Sequence, residues 1–506
     1  MQVIGNRLPT SVGRHAARQK NRSIWPILLA GVAFLLTGSF FVRPRAGVAI
    51  PYSIEEFYAQ PGSVVAGPNI LILCIDAMRP DHTSLYGYAR DTTPQLQSFF
   101  GEGTVFERAY APAAVTTPSV VAMLSGKYPQ NNGVRLLCQK LPNTTILVSD
   151  HLRRAGYQTA AVVSNAVLSD AASGLASRFD YYDARLDEAE SIRTHIFERT
   201  AVKTTDAAIH WLHYKCAPGR PHLLYIHYND PHGPYDPPAD RPADFTHEKP
   251  LMIDMTGKGG GIHPQGMVDG LELVDRYDEE IAYADREAGR LLRAYREMGY
   301  FDDALVILCA DHGEAMMEHD HWFAHGVYVY EQIIRVPLAV RYKNMPSARV
   351  PVPVSLVDVT PTILELVGLP VPGNFDGHSL LNPPAARPIF AEARGNAGMQ
   401  RDNSHNGNLW RCAIRDHRKV TARIGRSGPV REAHAYDLLA DPGELDPRPV
   451  DESDPLYQTL LTFIQADPDP AGIPRNLDWG DLPGPNVAPT ADPRTLDALR
   501  SLGYIN

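Results

Sequence analysis

The chain has 506 residues, of which 44% are hydrophobic and 21% are charged. Because this hydrophobic fraction is ordinary for a protein with a packed core, the composition excludes disorder as a description of the whole chain. Lys and Arg number 48 against 58 Asp and Glu, and the resulting net charge of -10 argues against a nucleic-acid-binding protein. Five cysteines are too few for a disulfide scaffold, and Cys74 and Cys309 lie in apolar runs, as small buried side chains do. These numbers indicate a large, mildly acidic globular protein, and we expect an enzyme.

The N-terminal segment predicts a membrane anchor. Residues Ile24–Val42 form an uncharged run of 19 residues, just long enough to cross the hydrocarbon layer as a helix. The residues before it include several Arg and no Asp or Glu, so the positive-inside rule places 1–23 in the cytoplasm and the catalytic part on the periplasmic or extracellular side. A cleaved signal peptide is the alternative, and the length of the run favours the uncleaved anchor. Residues 43–66 are predicted to be a stalk.

Short apolar runs alternate with helical segments in the middle of the chain. The runs are Asn69–Ile75, Thr159–Ser164, His222–Tyr228 and Ala304–Ala310. Each has the length and composition of a strand that is buried on both faces. Residues Leu271–Met298 carry apolar side chains at helical spacing, with charged residues opposite. This alternation predicts an α/β domain over residues 67–375, in which helices flank a mostly parallel sheet.

The pattern changes after about residue 370, where Pro- and Gly-rich sequence leads into strand-like segments. These segments read IFAEA, WRCAIRD, KVTARI and HAYDLL, and a helix-like stretch follows at Leu456–Ile464. Successive short strands predict a small antiparallel C-terminal subdomain over residues 376–506. Residues 236–267, rich in Pro, Gly and polar side chains, are predicted to be an insertion or a lid loop.

Polar side chains follow three of the predicted strands. Asp76 comes after the first, Asp230 and His232 after another, and Asp311-His312-Gly313 after the last. Because ligands of parallel α/β sheets gather at the carboxyl ends of the strands, we expect these groups to lie close together. Each residue alone could be a helix cap or a surface group. Together, carboxylates and imidazole are typical of a divalent metal site.

A hydroxyl-rich string, Thr116-Thr117-Pro118-Ser119, precedes an apolar segment that we predict to be a helix. The hydroxyl of Thr116 would then lie near the positive end of the helix dipole. If it also binds a metal ion, it becomes an alkoxide nucleophile. The alternative is that Thr117 simply caps the helix.

The chain resembles the sulfatase family of the alkaline phosphatase superfamily from about Pro68 to the C-terminus. The matching strings are NILILCIDAMRPDHTSLYGY, TTPSVVAMLSGKYP, YIHYNDPHGPYDPP, YDEEIAYADREAGRLLRAYREMGYFDDALVILCADHGE, VSLVDVTPTILELVGLP, AYDLLADPGE and the terminal LDALRSLGY. They occur in the order of the family's motifs. The resemblance implies an α/β domain with one or two metal ions at the carboxyl edge of the sheet, beside a smaller C-terminal subdomain.

The resemblance also implies the ligands of the metal ion. By position, these are Asp76, Thr116, Asp311 and His312, and Thr116 is also the catalytic nucleophile. Zinc is the first choice of metal for a site that mixes imidazole with carboxylates, and calcium is the second because sulfatases use it.

Three more residues are implied as groups that contact the substrate. His232 and His325 resemble the residues that bind the non-bridging oxygens of the ester or protonate the leaving group, and in two-zinc relatives these positions help to hold a second ion. Family lysines that contact sulfate have no clear match. Asn165 falls in one such region and is a candidate substrate-binding residue.

The chain departs from the family at the nucleophile and beside it. Formylglycine forms from cysteine or serine, and Thr116 cannot give it because its β-carbon carries a methyl group. Val120 replaces the usual arginine, and Ala77 replaces the second aspartate of the usual pair. A threonine ester cannot eliminate sulfate from carbon, so water must attack phosphorus or sulfur itself, and phosphorus tolerates this attack better. The threonine form resembles phosphodiesterases and phosphoethanolamine transferases of the superfamily.

The expected function is therefore metal-dependent hydrolysis of phosphate, phosphonate or sulfate esters through a covalent threonine intermediate, without formylglycine. The substrate would be a small ester or a lipid or glycan headgroup. One alternative is a lipid-headgroup phosphotransferase, although such relatives usually carry several membrane spans. Another is an inactive binding protein, which Val120 and Ala77 favour and the retained site residues oppose.

Overall fold

The structure is a computed structural model, and it describes residues 53–59, 62, 64–194, 196–239, 244–259, 262–394, 409–425 and 429–468. The predicted cytoplasmic tail, the anchor, most of the stalk and the terminal string LDALRSLGY lie outside these residues. Among the described helices, none is both long enough and apolar enough to span a bilayer. The anchor at Ile24–Val42 therefore stays a prediction.

The described elements alternate strands and helices along most of the chain. The strands are β1 (Ile70–Ile75), β2 (Thr104–Tyr110), β3 (Gln158–Val163), β4 (Tyr181–Asp183), β5 (Glu188–Ala189), β6 (Phe197–Glu198), β7 (His222–Tyr228), β8 (Met252–Asp254), β9 (Met267–Asp269), β10 (Leu305–Cys309), β11 (Arg335–Arg341), β12 (Ala348–Val350), β13 (Val354–Ser355), β14 (Ile389–Ala393), β15 (Leu409–Arg415), β16 (Arg418–Ile424), β17 (Val430–Asp437) and β18 (Arg448–Pro449). The α-helices are Ile54–Ala59, Pro94–Phe100, Thr116–Ser125, Pro129–Asn132, Val148–Arg154, Asp170–Ser173, Ala201–Tyr214, Gly270–Glu297, Glu331–Ile334, Val359–Leu366 and Pro455–Gln465.

The large sheet has the order β12-β2-β11-β10-β1-β7-β3-β4, and β13 also pairs with β2. β1 lies in its middle and runs parallel to both β7 and β10. β3 continues the parallel arrangement beside β7, whereas β11 runs antiparallel to β10 and β2. The predicted mixed α/β fold with a mostly parallel central sheet is confirmed.

The central strands form because their sequences are apolar on both faces. Every residue of β1, β3, β7 and β10 is buried. The long helix Gly270–Glu297 packs against the helices Pro94–Phe100 and Ala201–Tyr214. Its buried stripe includes Leu273, Tyr277, Ile281, Ala284, Ala288, Leu291 and Tyr295, at spacings of three and four residues. Burial of each large apolar side chain contributes about 1.5–3 kcal/mol, so this stripe explains why the segment is helical.

The C-terminal sheet is antiparallel, as the sequence predicts, with the order β14-β15-β16-β17-β18. The helix Pro455–Gln465 covers one face, where Leu456, Leu460 and Ile464 pack against Leu409 and Val420. The predicted antiparallel C-terminal sheet is therefore present. The segment predicted as a lid contains β8, which forms a hairpin with β9.

A buried ionic network joins the C-terminal sheet to the main domain. Arg135 lies 2.7 Å from Glu392 of β14 and 2.8 Å from Asp467. Arg411 of β15 contacts the same two carboxylates. Burial raises the pKa of Glu392, but Arg135 and Arg411 outweigh it and bring the pKa to about 2. The network depends on each partner, because a buried charge without a counter-charge is strongly destabilising.

We expect Glu392→Gln to lower the free energy of unfolding by about 3–5 kcal/mol, because two buried arginines would lose a carboxylate that they share. Urea unfolding followed by circular dichroism measures this change. The control is Glu102→Gln, which removes the exposed partner of Arg341 and should cost less than about 1 kcal/mol. Equal losses in the two variants would contradict the importance of the network.

Candidate active site

Two adjacent strands bring the predicted metal ligands together. Asp76 follows β1, and Asp311 and His312 follow β10, which is paired with β1 in parallel. The Nε2 atom of His312 lies 3.4 Å from Asp76 Oδ1 and 3.6 Å from Asp311 Oδ2. One ligand atom from each of the three residues lies within 4.8 Å of the other two, and all three side chains are buried. The strand ends therefore place these ligands around one point.

The donor set at this point fits a divalent cation. Asp76 Oδ1 and Asp311 Oδ2 are buried and accept no hydrogen bond from the described residues. The Nδ1 atom of His312 is 2.9 Å from the carbonyl oxygen of Gly313, which can only accept, so Nδ1 carries the proton. The Nε2 lone pair is thereby left for a metal ion, an arrangement common among ligating histidines. A cation would satisfy all three groups.

The electrostatics of the site also favour a cation. Burial and the neighbouring Asp311 raise the pKa of Asp76 to about 7. The carboxylates of Asp76 and Asp311 have oxygen atoms within 4.8 Å of each other and repel when both are charged. Without a metal ion, Asp76 therefore holds a proton below about pH 7, and a bound cation would displace it. The Oδ1 atom of Asp311 accepts hydrogen bonds from the backbone N–H groups of Ala77 and His312, at 3.3 and 3.0 Å. These bonds orient Asp311 with its other oxygen toward the ligands.

Thr116 is the first residue of the helix Thr116–Ser125, and its Oγ1 lies 3.2 Å from His312 Nε2. The hydroxyl therefore lies beside the ligands, near the positive end of the helix dipole. The hydroxyl of Thr117 is engaged elsewhere, donating to the carbonyl of Val167 at 3.2 Å and accepting from the N–H of Cys138 at 3.3 Å. The helix is capped by Val115, without a side-chain bond. The alternative that Thr117 caps the helix is wrong.

The helix Thr116–Ser125 is held in position by hydrogen bonds that do not involve the side chain of Thr116. Ser119 Oγ donates to the carbonyl of Asp311 at 2.6 Å, which ties the helix to the end of β10. Thr360 Oγ1 donates to the carbonyl of Met123 at 2.7 Å.

A glycine is required at position 313 because a Cβ there would lie 2.2 Å from the carbonyl oxygen of Gln332. That close approach to a neighbouring segment, which the sequence did not indicate, explains this glycine.

His232 and His325 lie next to each other, with ring centroids 5.2 Å apart. The His325 ring is 4.2 Å from that of His312. His325 Nδ1 donates to Glu314 Oε1 at 3.1 Å, and His232 Nδ1 donates to the carbonyl of Gly233 at 2.7 Å. Each ring therefore keeps Nε2 for a ligand. Burial and the nearby His325 lower the pKa of His232 to about 3, so His232 is neutral at pH 7.

A pocket that opens to solvent lies beside Thr116. It is lined by Thr116, Leu137, Asn165, Ala166, Val167, Glu190, Arg193, Ile196, Phe197, Glu198, Asn229, His232 and His325. Asn165 Nδ2 donates to Asp76 Oδ2 at 2.7 Å, so this residue orients the Asp76 carboxylate from the pocket wall. The pocket places the nucleophile candidate and both histidines on one surface.

Sequence reasoning missed several residues of the site. Glu314 directly follows Asp311-His312-Gly313 and could have been found from that string. Arg193, which pairs with Glu190 at 2.6 Å, comes from an irregular segment without a recognisable pattern. His227 lies within the apolar run of β7, and a single histidine among apolar residues was the one feature of the sequence that could have pointed to it.

A hydroxyl at a helix N-terminus faces carboxylate and imidazole groups at the carboxyl edge of a parallel sheet, an arrangement that suits the hydrolysis of esters. The sequence matches the family Sulfatase over residues 68–369. The chain belongs to the sulfatase family and is an ester-hydrolysing enzyme.

Known relatives agree with this assignment. The chain is 23% identical to "Uncharacterized sulfatase YidJ" of Escherichia coli, over 86% of this chain and 93% of that protein. It is 27% identical to "Arylsulfatase K" of Danio rerio, over 62% of this chain and 67% of that protein. The phosphonate monoester hydrolase of Agrobacterium radiobacter shares the fold, with a TM-score of 0.60, 20% identity, and coverage of 79% and 94%.

Proposed function

We propose that this enzyme hydrolyses phosphate, phosphonate or sulfate esters through a covalent intermediate on Thr116, with a preference for phosphorus esters. The observation that carries the proposal is the position of Thr116 Oγ1, 3.2 Å from His312 Nε2 at the start of a helix. Asp76, Asp311 and His312 would hold a divalent metal ion beside it, and zinc is the first choice. Such an ion supplies positive charge that acidifies the hydroxyl and offsets the charge of the ester oxygens.

The residues around Thr116 suit an in-line attack on the ester. The Thr116 oxygen forms the new bond to phosphorus or sulfur as the bond to the leaving alcohol breaks. The helix N-terminus favours the negative charge that develops on the attacking and non-bridging oxygens. The Nε2 atom of His325 can take the hydroxyl proton and return it to the leaving oxygen, and the neutral ring of His232 lies beside it in the pocket wall. Glu314 holds the His325 ring and supplies a counter-charge while the ring carries that proton.

The identity of residue 116 supports the preference for phosphorus. Threonine cannot be converted to formylglycine, so the covalent ester cannot break by elimination from carbon. Water must attack the phosphorus or sulfur atom of the intermediate, and phosphorus is the easier target. The shared fold with a phosphonate monoester hydrolase of Agrobacterium radiobacter is compatible with this preference.

A panel of esters with one common leaving group tests the proposal. The purified full chain, loaded with zinc or calcium, is assayed with a phosphate monoester, a phosphate diester, a phosphonate and a sulfate ester. We expect the phosphorus esters to turn over fastest, and chelation to abolish turnover. Faster hydrolysis of the sulfate ester would overturn the preference. Transfer to an added alcohol rather than to water would identify the phosphotransferase alternative.

His232→Ala and His325→Ala are each expected to lower kcat/KM by about 10²–10⁴-fold, because each variant loses a proton carrier or an oxygen contact. Steady-state kinetics with the best substrate of the panel measures the loss. His434→Ala, on β17 of the C-terminal sheet, is the matched control and should change the rate by less than about 2-fold. Normal kinetics in both site variants would exclude these rings from the reaction.

We further propose that Ile24–Val42 anchors the enzyme in a membrane with the catalytic domain outside the cytoplasm. The support is the uncharged run and the basic residues before it. A chain lacking residues 1–45 is expected to be soluble, folded and active, because it keeps the helix Ile54–Ala59 with its buried Phe57. A chain lacking residues 1–66 loses that helix and should melt at a lower temperature. Aggregation of the shorter deletion would contradict the anchor.

A further inference from the structure

A second group of potential metal ligands lies next to the first. Cys74 of β1 and His227 of β7 are register partners in the parallel sheet, and Asp311 follows β10 on the other side of β1. One ligand atom from each of these three residues lies within 4.8 Å of the other two. Cys74 and His227 are fully buried, and Asp311 is 1% exposed. The three central strands thus place a thiol, an imidazole and a carboxylate together.

The imidazole of His227 is buried, and its nearest carboxylate oxygens lie beyond hydrogen-bonding distance. Neither its Nδ1 nor its Nε2 forms a hydrogen bond with another described residue. Its Nε2 lies 3.6 Å from Asp311 Oδ2, an oxygen that also accepts no bond from the described part of the chain. Leaving a buried polar group unpaired costs about 1–3 kcal/mol, so a ring with two such nitrogens indicates a further ligand.

The chemistry of the three groups matches zinc. Thiolate, imidazole and carboxylate are its common protein ligands, with bonds of about 2.0–2.3 Å in tetrahedral geometry. Those bond lengths place neighbouring ligand atoms about 3.3–3.8 Å apart. The separation of His227 Nε2 and Asp311 Oδ2, 3.6 Å, lies in that range. The thiol also makes this group softer than the set of Asp76 and His312.

We propose that Cys74, His227 and Asp311 bind a second divalent ion, zinc, and that Asp311 is shared with the catalytic ion. The inference rests on the proposed function, because Asp311 Oδ2 is also 3.6 Å from His312 Nε2. The second ion would bind one ring nitrogen of His227 and the Cys74 thiolate, and it would fix the orientation of Asp311. This position differs from that of His232 and His325, to which the family resemblance assigned a second ion.

Cobalt substitution tests the proposal with a readout other than activity. The full chain is stripped of metal under reducing conditions, refilled with Co²⁺ and desalted. We expect two cobalt ions per chain and a thiolate-to-cobalt charge-transfer band in the near ultraviolet. Cys74→Ser should remove the band and one cobalt ion, and His227→Ala should also leave one ion. The control is Cys216→Ser, which changes a buried cysteine 3.5 Å from His222 Nδ1 and should leave both signals intact.

The results separate the second site from the proposed function. One cobalt ion per chain, with normal turnover and no charge-transfer band, overturns the second site alone. Absence of any bound cobalt overturns both proposals. If Cys74→Ser does not fold, the anomalous difference map of cobalt-loaded wild-type crystals decides. A peak about 2.0–2.6 Å from Cys74 Sγ and a ring nitrogen of His227 supports the proposal, and a second peak between His232 and His325 overturns it.

Discussion

Thr116→Ala is expected to lower the turnover of phosphorus esters by about 10³-fold or more, because it removes the oxygen that forms the covalent intermediate. Folding should persist, since Ser119 and Thr360 hold the helix through their own hydrogen bonds. Most metal binding should persist as well, because Asp76, Asp311 and His312 remain. Steady-state kinetics and metal analysis of the same preparations measure both effects.

Two further variants sharpen the result. Thr116→Ser keeps the hydroxyl and should retain part of the activity. Thr117→Ala makes the same change one position later and removes the bonds to Val167 and Cys138, so it should cost about 1–3 kcal/mol of stability and little turnover. Unchanged activity of Thr116→Ala would mean that water attacks the ester directly, and the covalent mechanism would be wrong.

Asp76→Asn is expected to move activity and stability in opposite directions. Loss of a ligand should weaken metal binding and lower turnover by about 10³-fold. The metal-free protein should become more stable at pH 8 by about 2–4 kcal/mol, because the substitution removes a charge that burial and the neighbouring Asp311 both disfavour. Urea unfolding in the presence of a chelator measures the second effect.

The raised pKa of Asp76 also predicts how the stability of the metal-free protein changes with pH. The pKa of Asp76 is raised from 3.8 to about 7 in the folded state. Between these values the folded metal-free protein holds a proton that the unfolded chain has released, so its stability falls as pH rises from about 4 to about 7. Asp76→Asn should flatten this decline. Asp285→Asn, which also changes a buried carboxyl, should leave metal content unchanged. A less stable metal-free Asp76→Asn protein would contradict the repulsion.

The sequence predicts the central sheet well because burial on both faces leaves a simple signal. The apolar runs that end at Ile75, Tyr228 and Ala310 contain strands, and the ends of those strands place the predicted ligands at one edge. The direction of β11 was not predictable, because its apolar run is like that of a parallel strand. An apolar run indicates burial and does not record which neighbour the strand pairs with.

The remaining parts of the site depend on tertiary contacts that no local pattern reports. Asn165 holds the Asp76 carboxylate across 89 positions of the chain. Thr116 and Thr117 share the same chemistry, and only the packing of their helix decides that the first faces His312 and the second faces Val167. The pocket wall at Arg193 and Glu198 comes from an irregular segment and from the two-residue strand β6, whose geometry follows from their surroundings.

The hydrogen bonds that hold the helix Thr116–Ser125 in place have a consequence for the evolution of this site. Ser119 ties the helix to the carbonyl of Asp311, and Thr360 ties it to the carbonyl of Met123. Neither bond uses the side chain of residue 116, so cysteine, serine or threonine can stand there on an unchanged scaffold. A change of residue 116 would leave both bonds in place, so the chemistry at this position can change without disturbing them. Selection can therefore act on the type of reaction separately from the architecture that supports it.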